Sequence, residues 1–350
     1  MSIPSSVCGK LGAGRVQAGR ERKALSHYDV FNGDADGICA LHQLRLAAPL
    51  ASILVTGAKR DIQLLDRVAA QTGDSVTVLD ISLDRNRAAL LGLLERGVHV
   101  EYFDHHFAGT VPQHPGLRAH IDPAPGSCTS TLVDRHLQGR HRLWAVVAAF
   151  GDNLNKTALA LARRCGLAEE QLLLLRDLGQ AINYNAYGDS EADLLIAPAR
   201  LYRAIQPHAN PFDFLADDAG AHKLIDGRSQ DMAVARSVQA AHRLPAGSIY
   251  VLADAPWARR VQGEFANELA ARFPLLAHAV LCERSQGGYS VSVRAPLDCQ
   301  AGADRLCRQF PGGGGRAGAA GIDLLATERL AEFIQAFSAA FDRGPGQVRS

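Results

Sequence analysis

The chain has 350 residues, 47% hydrophobic and 21% charged, which is enough apolar material for the cores of two globular domains. Its 37 Lys and Arg residues nearly balance 36 Asp and Glu residues, and the net charge of +1 gives no support for binding duplex nucleic acid through a broad basic surface. Seven cysteines without a Cys-x-x-Cys pair argue against a disulfide framework and indicate reduced thiols.

The two ends of the sequence predict no targeting or membrane segment. Residues 1–26 include several basic side chains but no apolar core of signal-peptide length. The sequence contains no run of about 20 apolar residues, which is the length that would predict a membrane-spanning helix. We therefore expect a flexible lead over residues 1–26, a short tail over residues 343–350 and a cytoplasmic protein without membrane contact.

Strands and helices alternate in the first third of the chain. Apolar runs predict strands and helical periodicity predicts helices, in the order strand 28–32, helix 38–48, strand 52–56, helix 61–70, strand 76–79, helix 83–96 and strand 98–103. This alternation is typical of a parallel, doubly wound sheet with helices on its faces, so we predict an α/β fold.

The rest of the chain predicts a helical region followed by a smaller α/β unit. The predicted elements are helices 128–138 and 143–150, a mostly helical region 157–205, a break at 207–220, a helix 221–242, a strand 248–252, a helix 263–273, strands 278–282 and 289–293, and a closing helix 326–342. The predicted domains are residues 27–190 and 246–342, joined by a helical linker region 191–245.

Acidic residues and histidines follow four of the apolar segments. The residues are Asp34, Asp36, Asp80, Asp104, His105, His106 and Asp152. In an open parallel sheet the carboxyl ends of the strands lie along one edge, where ligands bind, so we expect these side chains to converge. Because unpaired buried charge costs several kcal/mol, this convergence indicates a site for two metal ions.

These motifs, in this order, resemble those of the DHH phosphoesterase superfamily. The first motif is Asp34-Ala35-Asp36-Gly37, the second contains Asp80, the third is the name-giving Asp104-His105-His106 and the fourth contains Asp152. The C-terminal part resembles the DHH-associated domain, and the resemblance spans roughly residues 27–340. It implies a phosphoesterase domain, a smaller substrate-binding domain and an active-site cleft between them.

The resemblance also implies which residues bind metal. Asp80 would bridge two ions. Asp36, His105 and Asp152 would complete one site, and Asp34 would belong to the other. Hard divalent cations prefer carboxylates and Mn²⁺ also accepts imidazole, so the expected cofactor is two Mn²⁺ ions, with Mg²⁺ or Co²⁺ as alternatives.

Two residues of the third motif have implied roles in the chemistry. His106 would lie at the scissile phosphate, as a charge stabiliser or proton donor. Asp104 would orient a histidine without itself binding metal.

Substrate binding is implied for the C-terminal domain. Arg294, which ends the sequence Val291-Ser292-Val293-Arg294, and the glycine-rich segment 313–321 match the family's substrate-binding motifs. The residues expected to contact substrate are Arg294, Gly313, Gly314, Gly315 and Arg316. Glycine lets the backbone approach an anion closely, and a flexible linker is the alternative interpretation of this segment.

The chain departs from the family pattern at two positions. Many relatives have a metal-binding His four residues before the first Asp of the first motif, and here Val30 occupies that position. A His usually follows the third glycine of the glycine segment, and here Arg316 stands in its place. Val30 cannot coordinate metal, whereas Arg316 can bind a phosphate bidentately. We therefore expect one ion to bind more weakly and the substrate preference to differ.

The predicted function is a metal-dependent phosphoesterase that hydrolyses a small nucleotide or a short single-stranded oligonucleotide, as nano-RNases and 3′,5′-bisphosphate nucleotidases do. A cyclic-dinucleotide phosphodiesterase is the alternative within this class. A degenerate nucleotide-binding protein without turnover is the alternative from another class, suggested by Val30 and Arg316. The sequence leaves open whether the protein is a homodimer.

Overall fold

Two β-sheets organise the protein, one in each half of the chain. The structure, a computed structural model, describes Met1, residues 25–217 and residues 219–342. The predicted flexible lead and tail fall almost wholly outside these residues. Within the described ranges the six cysteines are free, and no helix is long and apolar enough to cross a membrane.

The first sheet has five parallel strands in the order β2-β1-β3-β4-β5. The strands are β1 (His27–Phe31), β2 (Ile53–Val55), β3 (Ser75–Leu79), β4 (His99–Asp104) and β5 (Leu117–Ile121). The predicted parallel α/β sheet is confirmed. The direction of the strand order reverses between β1 and β3, which is where sheets of this order bind ligands.

The helices that precede the second sheet include those predicted around 128–150. They are α1 (Ala35–Ala47), α2 (Arg87–Glu95), α3 (Thr129–His136), α4 (Arg142–Gly151), α5 (Asn155–Arg164), α6 (Glu169–Asn185), α7 (Pro198–Ile205), α8 (Pro211–Asp217) and α9 (Ala219–Ser237). Helix α8 lies inside the predicted break 207–220. Pro211 begins it, and Oδ1 of Asn210 accepts a hydrogen bond from the backbone N–H of Phe212 at 3.1 Å.

The helix predicted at 61–70 is wrong, because only a single 3₁₀ turn, Leu64–Arg67, forms there. The side chain of Asn86 accounts for the difference. Its amide donates to the carbonyl of Ile62 at 2.6 Å, and its oxygen accepts from the backbone N–H of Leu65 at 3.3 Å. These bonds satisfy backbone groups that a longer helix would otherwise pair.

Strand β5 lies outside the predicted strands. Its sequence, Leu-Arg-Ala-His-Ile, alternates apolar and polar residues, and its side chains are mostly half-buried. It lies at the edge of the sheet, where complete burial is not required, so it lacks the continuous apolar run that marks the central parallel strands.

Alternate residues of the central strands point into two hydrophobic cores, one on each face of the sheet. The strand residues of one core, which also contains residues of α1, α4 and α6, include Phe31, Leu79 and Phe103. Those of the other core, which contains residues of α2, include Val30, Val78 and Tyr102. Each such side chain contributes about 1.5–3 kcal/mol on burial. Val30 therefore has a packing role.

The second sheet has six strands in the order β10-β11-β9-β8-β7-β6. The strands are β6 (His242–Leu244), β7 (Gly247–Leu252), β8 (Ala277–Glu283), β9 (Tyr289–Arg294), β10 (Gly313–Arg316) and β11 (Ala319–Leu325). The remaining helices are α10 (Pro256–Arg272), α11 (Ala303–Cys307) and α12 (Leu330–Phe341). Only β7 and β8 are parallel, and α10 connects them. The predicted second α/β unit is confirmed.

The glycine-rich segment forms an antiparallel hairpin. Strand β10 pairs with β11, from Gly313 opposite Ile322 to Arg316 opposite Ala319. The segment is therefore part of the second sheet and not a flexible linker.

A buried ion pair joins β1 to α1. Asp29 on β1 is fully buried, and its carboxylate accepts from Nε of Arg45 on α1 at 2.9 Å and from Oγ of Ser52 at 2.6 Å. Burial alone would raise the pKa of Asp29, but hydrogen bonds from His27 and Arg45 hold it below its usual value. The pair therefore joins β1, the second strand of the first sheet, to the helix that follows it.

We expect Asp29→Asn to lower the free energy of unfolding by about 3–5 kcal/mol, because Arg45 would remain buried without its anion. The matched control is Asp84→Asn, since Asp84 is exposed and lies 3.7 Å from Arg87. Such a surface pair contributes about 0–1 kcal/mol. Urea unfolding measures both changes, and equal losses in the two variants would contradict the role of Asp29.

Candidate metal centre

The predicted acidic residues meet at the carboxyl edge of the first sheet. Asp34 follows β1, Asp80 follows β3 and Asp104 ends β4. Strands β1 and β3 flank the point where the strand order reverses, and β4 lies next to β3. All three side chains are buried. The sheet topology thus brings together carboxylates that are distant in the chain.

Asp34 caps helix α1 and also forms an ion pair. Its Oδ1 accepts from the backbone N–H groups of Asp36 and Gly37, at 3.0 and 3.1 Å. Its Oδ2 accepts from Nζ of Lys59 at 2.6 Å. Burial alone would raise the pKa of Asp34, but the Lys59 ammonium holds it below its usual value. Both oxygens of Asp34 therefore have partners within the protein.

Asp36, in the first turn of α1, accepts hydrogen bonds from the N-terminus of α3. Its two oxygens accept from the backbone N–H groups of Thr129 and Ser130, both at 2.7 Å. Helix N-termini carry partial positive charge, which stabilises an adjacent carboxylate. Oγ1 of Thr131, in the first turn of α3, accepts from the backbone N–H of Cys128 at 3.0 Å.

Asp152 comes from a helix end and not from a strand. It follows α4, whose last turn packs closely against α1 and α6. A Cβ on Gly151 would lie 2.5 Å from Cβ of Ala35 and 2.7 Å from the carbonyl oxygen of Gly179, so only glycine permits this approach. The missing side chain at Gly151 thereby brings Asp152 to the edge of the sheet.

Asp36, His105 and Asp152 form a group that could hold a metal ion. Each offers one ligand atom, and these atoms lie within 4.8 Å of one another. Nε2 of His105 is also 3.3 Å from Oδ1 of Asp80, and Asp80, His105 and His106 form a second group of this kind. Two carboxylates and an imidazole are ligands that Mn²⁺ accepts.

Asp104 lies behind these groups and contacts both histidines of its motif. Its Oδ1 accepts from Nδ1 of His106 at 2.7 Å and from the backbone N–H of His105 at 2.9 Å. The hydrogen bond with Asp104 raises the pKa of His106. Asp104 is fully buried while the His106 side chain is 44% exposed, so His106 lies on the solvent side of the site.

The buried carboxylates oppose one another's ionisation. Burial and the negative charges of Asp34 and Asp36 raise the pKa of Asp80 well above its usual range. Burial and the charge of Asp152 raise the pKa of Asp36. A divalent cation reverses this effect, because it compensates the negative charge. The donor chemistry and the electrostatics therefore both fit a metal ion at this site.

The backbone of Asp80 lies in the left-handed region, with φ of +59°. Among residues with a side chain, Asp and Asn adopt this region most readily. The backbone N–H of Asp80 donates to the carbonyl of Phe103 at 3.0 Å, and Oγ1 of Thr129 donates to Oδ1 of Asp80 at 3.2 Å. These contacts fix the direction of the carboxylate.

Lys59 belongs to the site, although the sequence interpretation omits it. Its Nζ lies 2.6 Å from Oδ2 of Asp34, 3.1 Å from Oδ1 of Asn183 and 3.6 Å from Oδ1 of Asp152. It also lies 5.4 Å from the centre of the Tyr187 ring. Burial opposes the charge, but Asp34 raises the pKa of Lys59 well above its usual value. The available sequence signal is that Lys59 follows a strand at the same sheet edge.

A cleft of about 380 Å³ lies beside the metal group, between the two units. Asn153 and Tyr187 line it from the first unit, and Asn267 and Arg294 from the second. Arg294 donates to Oδ1 of Asn267 at 2.6 Å and to Oγ of Ser292 at 2.9 Å, and its partners among the described residues are all neutral. Burial without an anion lowers the pKa of Arg294. Its positive charge is therefore available to a ligand.

Arg294 and Arg316 lie in one row of the second sheet. Arg294 on β9 is opposite Ala319 on β11, which is opposite Arg316 on β10. Neighbouring strands are about 4.8 Å apart, so two strand spacings, about 10 Å, separate the arginines. Arg316 is exposed. None of the described residues of β10, including Gly313, Gly314 and Gly315, lines the cleft.

No family model matches the sequence, and no curated protein matches it. Solved structures match the fold. The manganese-bound exonuclease RecJ has a TM-score of 0.58 at 18% identity, with 91% of each chain covered. The DHH domain of a member of the s1p family of ribosomal proteins has a TM-score of 0.55 at 16% identity, with 90% of this chain and 86% of that chain covered.

A third similar structure is the pGpG-specific phosphodiesterase PggH from Vibrio cholerae. Its TM-score is 0.51 at 15% identity, with 91% of this chain and 99% of that chain covered. These likenesses show that the chain shares the fold of these three structures over about nine-tenths of its length.

We expect saturating Mn²⁺ to stabilise the protein by about 3–4 kcal/mol at 100 to 1,000 times Kd. Asp80→Asn should leave the metal-free protein at least as stable as wild type, because it removes a charge that burial and acidic neighbours oppose. It should also reduce the Mn²⁺-induced gain by more than half, since one anionic donor is lost.

Thermal unfolding with Mn²⁺ and with a chelator measures both effects. Asp84→Asn, which removes an exposed carboxylate that belongs to neither group of potential ligands, should respond to Mn²⁺ as wild type does. An undiminished Mn²⁺ response in Asp80→Asn would show that Asp80 takes no part in metal binding.

Proposed function

We propose that this protein is a metal-dependent phosphoesterase that hydrolyses a short oligonucleotide or a small nucleotide. The observation that carries the proposal is the group Asp36, His105 and Asp152 beside a cleft that contains the guanidinium of Arg294. Phosphoryl transfer requires charge stabilisation at the reacting phosphorus and a fixed position for the substrate's other anionic groups. RecJ and PggH, whose fold is similar, are by name an exonuclease and a phosphodiesterase, which supports this class of activity.

We infer that Mn²⁺ is the cofactor, with Mg²⁺ or Co²⁺ able to replace it, because the donors combine carboxylates with imidazole. Asp36, His105 and Asp152 would hold the ion, with Asp80 next to them. When bound, such an ion activates water and neutralises charge on the phosphoryl oxygens.

His106 is the residue that we expect to act directly on the phosphate. Its Nδ1 is engaged by Asp104, which leaves Nε2 free to face the substrate on the exposed side of the site. Because Asp104 favours the protonated ring, His106 can donate a hydrogen bond or a proton to a phosphate oxygen. Asp104 therefore acts by orienting His106 and by favouring its protonated form.

The cleft favours a short substrate. Its volume of about 380 Å³ lies near the lower end of the range of about 300–1,000 Å³ typical of small-molecule sites. Tyr187 offers a ring on which a base can stack, and Arg294 offers a cation for a second phosphate. These features suit a dinucleotide, a nucleoside 3′,5′-bisphosphate or a cyclic dinucleotide.

A second candidate function is nucleotide binding without turnover. Two observations favour it: Val30 packs in a hydrophobic core at a position where relatives carry a metal-binding His, and Lys59 is paired with Asp34. Both features reduce the number of donors available to metal. The cleft and its arginine would then hold a ligand that is released unchanged.

Turnover on a substrate panel with Mn²⁺ separates these functions. The panel contains RNA and DNA dinucleotides including pGpG, adenosine 3′,5′-bisphosphate and cyclic dinucleotides, and chromatography detects mononucleotide or phosphate release. We expect Mn²⁺-dependent hydrolysis of at least one linear dinucleotide or bisphosphate, abolished by Asp80→Ala. Saturable binding of panel members with no product from any of them would overturn the proposal in favour of the binding function.

We expect Arg316→Ala to raise KM about ten-fold or more, equivalent to about 1.4 kcal/mol, with a smaller change in kcat. The reason is that Arg316 and Arg294 are proposed to hold substrate anions away from the reacting phosphorus. Arg294→Lys should act in the same direction, because it keeps the charge but loses the planar fork. Arg316→His should be milder than Arg316→Ala.

Michaelis kinetics on the best panel substrate provide the measurement. Arg308→Ala is the matched control, since Arg308 is an exposed arginine of the same unit that pairs with Asp304 at 3.5 Å. An unchanged KM in both Arg316→Ala and Arg294→Lys would show that the second unit takes no part in substrate binding.

A further inference from the structure

The charge of Asp34 is already compensated by the protein itself. Lys59 donates to one oxygen at 2.6 Å, and two backbone N–H groups at the start of α1 donate to the other. Asp34 is absent from both groups of potential ligands found among the described residues. Its carboxylate therefore differs from those of Asp36 and Asp152, whose ligand atoms lie within 4.8 Å of each other and of a ring nitrogen of His105.

We propose that the ammonium group of Lys59 takes the place of a second metal ion, so that the chain holds one divalent cation and one fixed lysine charge at its carboxylate cluster. In this proposal Asp36, His105 and Asp152 bind the divalent ion, and Asp80 lies next to them. Lys59 forms an ion pair with Asp34 and also lies near Asp152. This inference builds on the metal site of the proposed function but does not depend on hydrolysis.

The fold holds Lys59 in place from several directions. The backbone N–H of Lys59 donates to the carbonyl of Ala186, just after α6, at 2.9 Å. The loop that carries Lys59 also approaches the loop of Asp34 closely, because a Cβ on Gly33 would lie 2.1 Å from the carbonyl oxygen of Gly57. The position of the lysine is therefore set by the backbone and not only by a flexible side chain.

The surroundings of Nζ suit an ammonium ion. Nζ donates hydrogen bonds to Asp34 at 2.6 Å and to Asn183 at 3.1 Å, and Oδ1 of Asp152 lies 3.6 Å away as an ion-pair partner. The ring of Tyr187 lies on a further side and favours a cation. The Lys59 side chain is 24% exposed, so water screens this charge only in part.

The same position is poor for a second divalent ion. An ion that shared Asp34 with Lys59 would lie next to a like charge, which is repulsive over such short distances. Val30, at the position of the expected imidazole, lies in a hydrophobic core. The remaining potential metal ligand nearby in the sequence is Oδ1 of Asn32, which is buried and has no hydrogen-bond partner among the described residues. A neutral amide oxygen does not offset the repulsion between such an ion and the Lys59 ammonium.

Metal stoichiometry tests the inference on the full chain with Mn²⁺ alone. Isothermal titration should give one Mn²⁺ per chain, and electron paramagnetic resonance should show the signal of an isolated ion. Two Mn²⁺ per chain with a magnetically coupled spectrum would overturn the inference, and Asn32 would then be the first residue to test as the additional ligand.

The lysine variants provide a second test. Lys59→Ala removes the ammonium and leaves Oδ2 of Asp34 without its Lys59 partner, so we expect the affinity for a second Mn²⁺ to rise at least ten-fold and a coupled spectrum to develop. Lys59→Arg keeps the charge and should remain at one ion. Arg60→Ala is the matched control, because Arg60 is the adjacent exposed cation, 3.7 Å from Asp189, and should also remain at one ion.

Circular dichroism checks that each variant is folded. Lys59→Gln, which keeps most of the side-chain volume, replaces Lys59→Ala if that variant does not fold. A folded Lys59→Ala or Lys59→Gln whose second-ion affinity equals that of wild type would overturn the inference. One bound ion without hydrolysis of the panel would refute the proposed function and keep this inference, whereas hydrolysis with two coupled ions would do the reverse.

Discussion

The structure depends on the convergence of buried carboxylates at one edge of a parallel sheet. Burying such a cluster is costly unless its charges are compensated, and the chain compensates three of them in different ways. Lys59 compensates Asp34, the N-terminus of α3 compensates Asp36, and His106 compensates Asp104. Asp80 accepts a hydrogen bond from the hydroxyl of Thr129 and lies 3.3 Å from Nε2 of His105. The charge that remains, around Asp80 and His105, is what makes this edge of the sheet suitable for a metal ion.

Helix α6 connects this centre to the second unit. Its last turn and the residues just after it supply Asn183 and the Ala186 carbonyl to Lys59, while Tyr187 lines the cleft. Tyr184, on the same turn, accepts a hydrogen bond at 2.9 Å from Nε of Arg260 on α10. The candidate metal centre, the cleft and the second unit therefore all contact the C-terminal end of α6. A substrate bound between the units would contact both ends of this connection.

The sequence predicts those features that have a local pattern. Strands β1, β3 and β4 carry apolar runs, and Asp34, Asp80 and Asp104 lie at or just after the ends of these strands. The central part of the sheet and its acidic edge are therefore predictable. The role of Lys59 is not predictable, because a single lysine after a strand belongs to no periodic pattern. Its role arises only from the close approach of Gly33 and Gly57. The helix predicted at 61–70 fails for a similar reason, since the side chain that replaces its hydrogen bonds belongs to a later segment. The glycine hairpin is also hidden, because pairing between backbones leaves no side-chain signature.

The left-handed backbone of Asp80 restricts how this position can change in evolution. Most residues with a Cβ lose roughly 1–2 kcal/mol in that conformation, while Gly, Asn and Asp adopt it readily. Of these three, only Asp provides a negative charge. Asp and Asn codons differ by one nucleotide, so a single mutation can remove the charge and preserve the turn. A lineage that loses the charge at this position can therefore keep the fold and the cleft, and its descendants would be stable proteins.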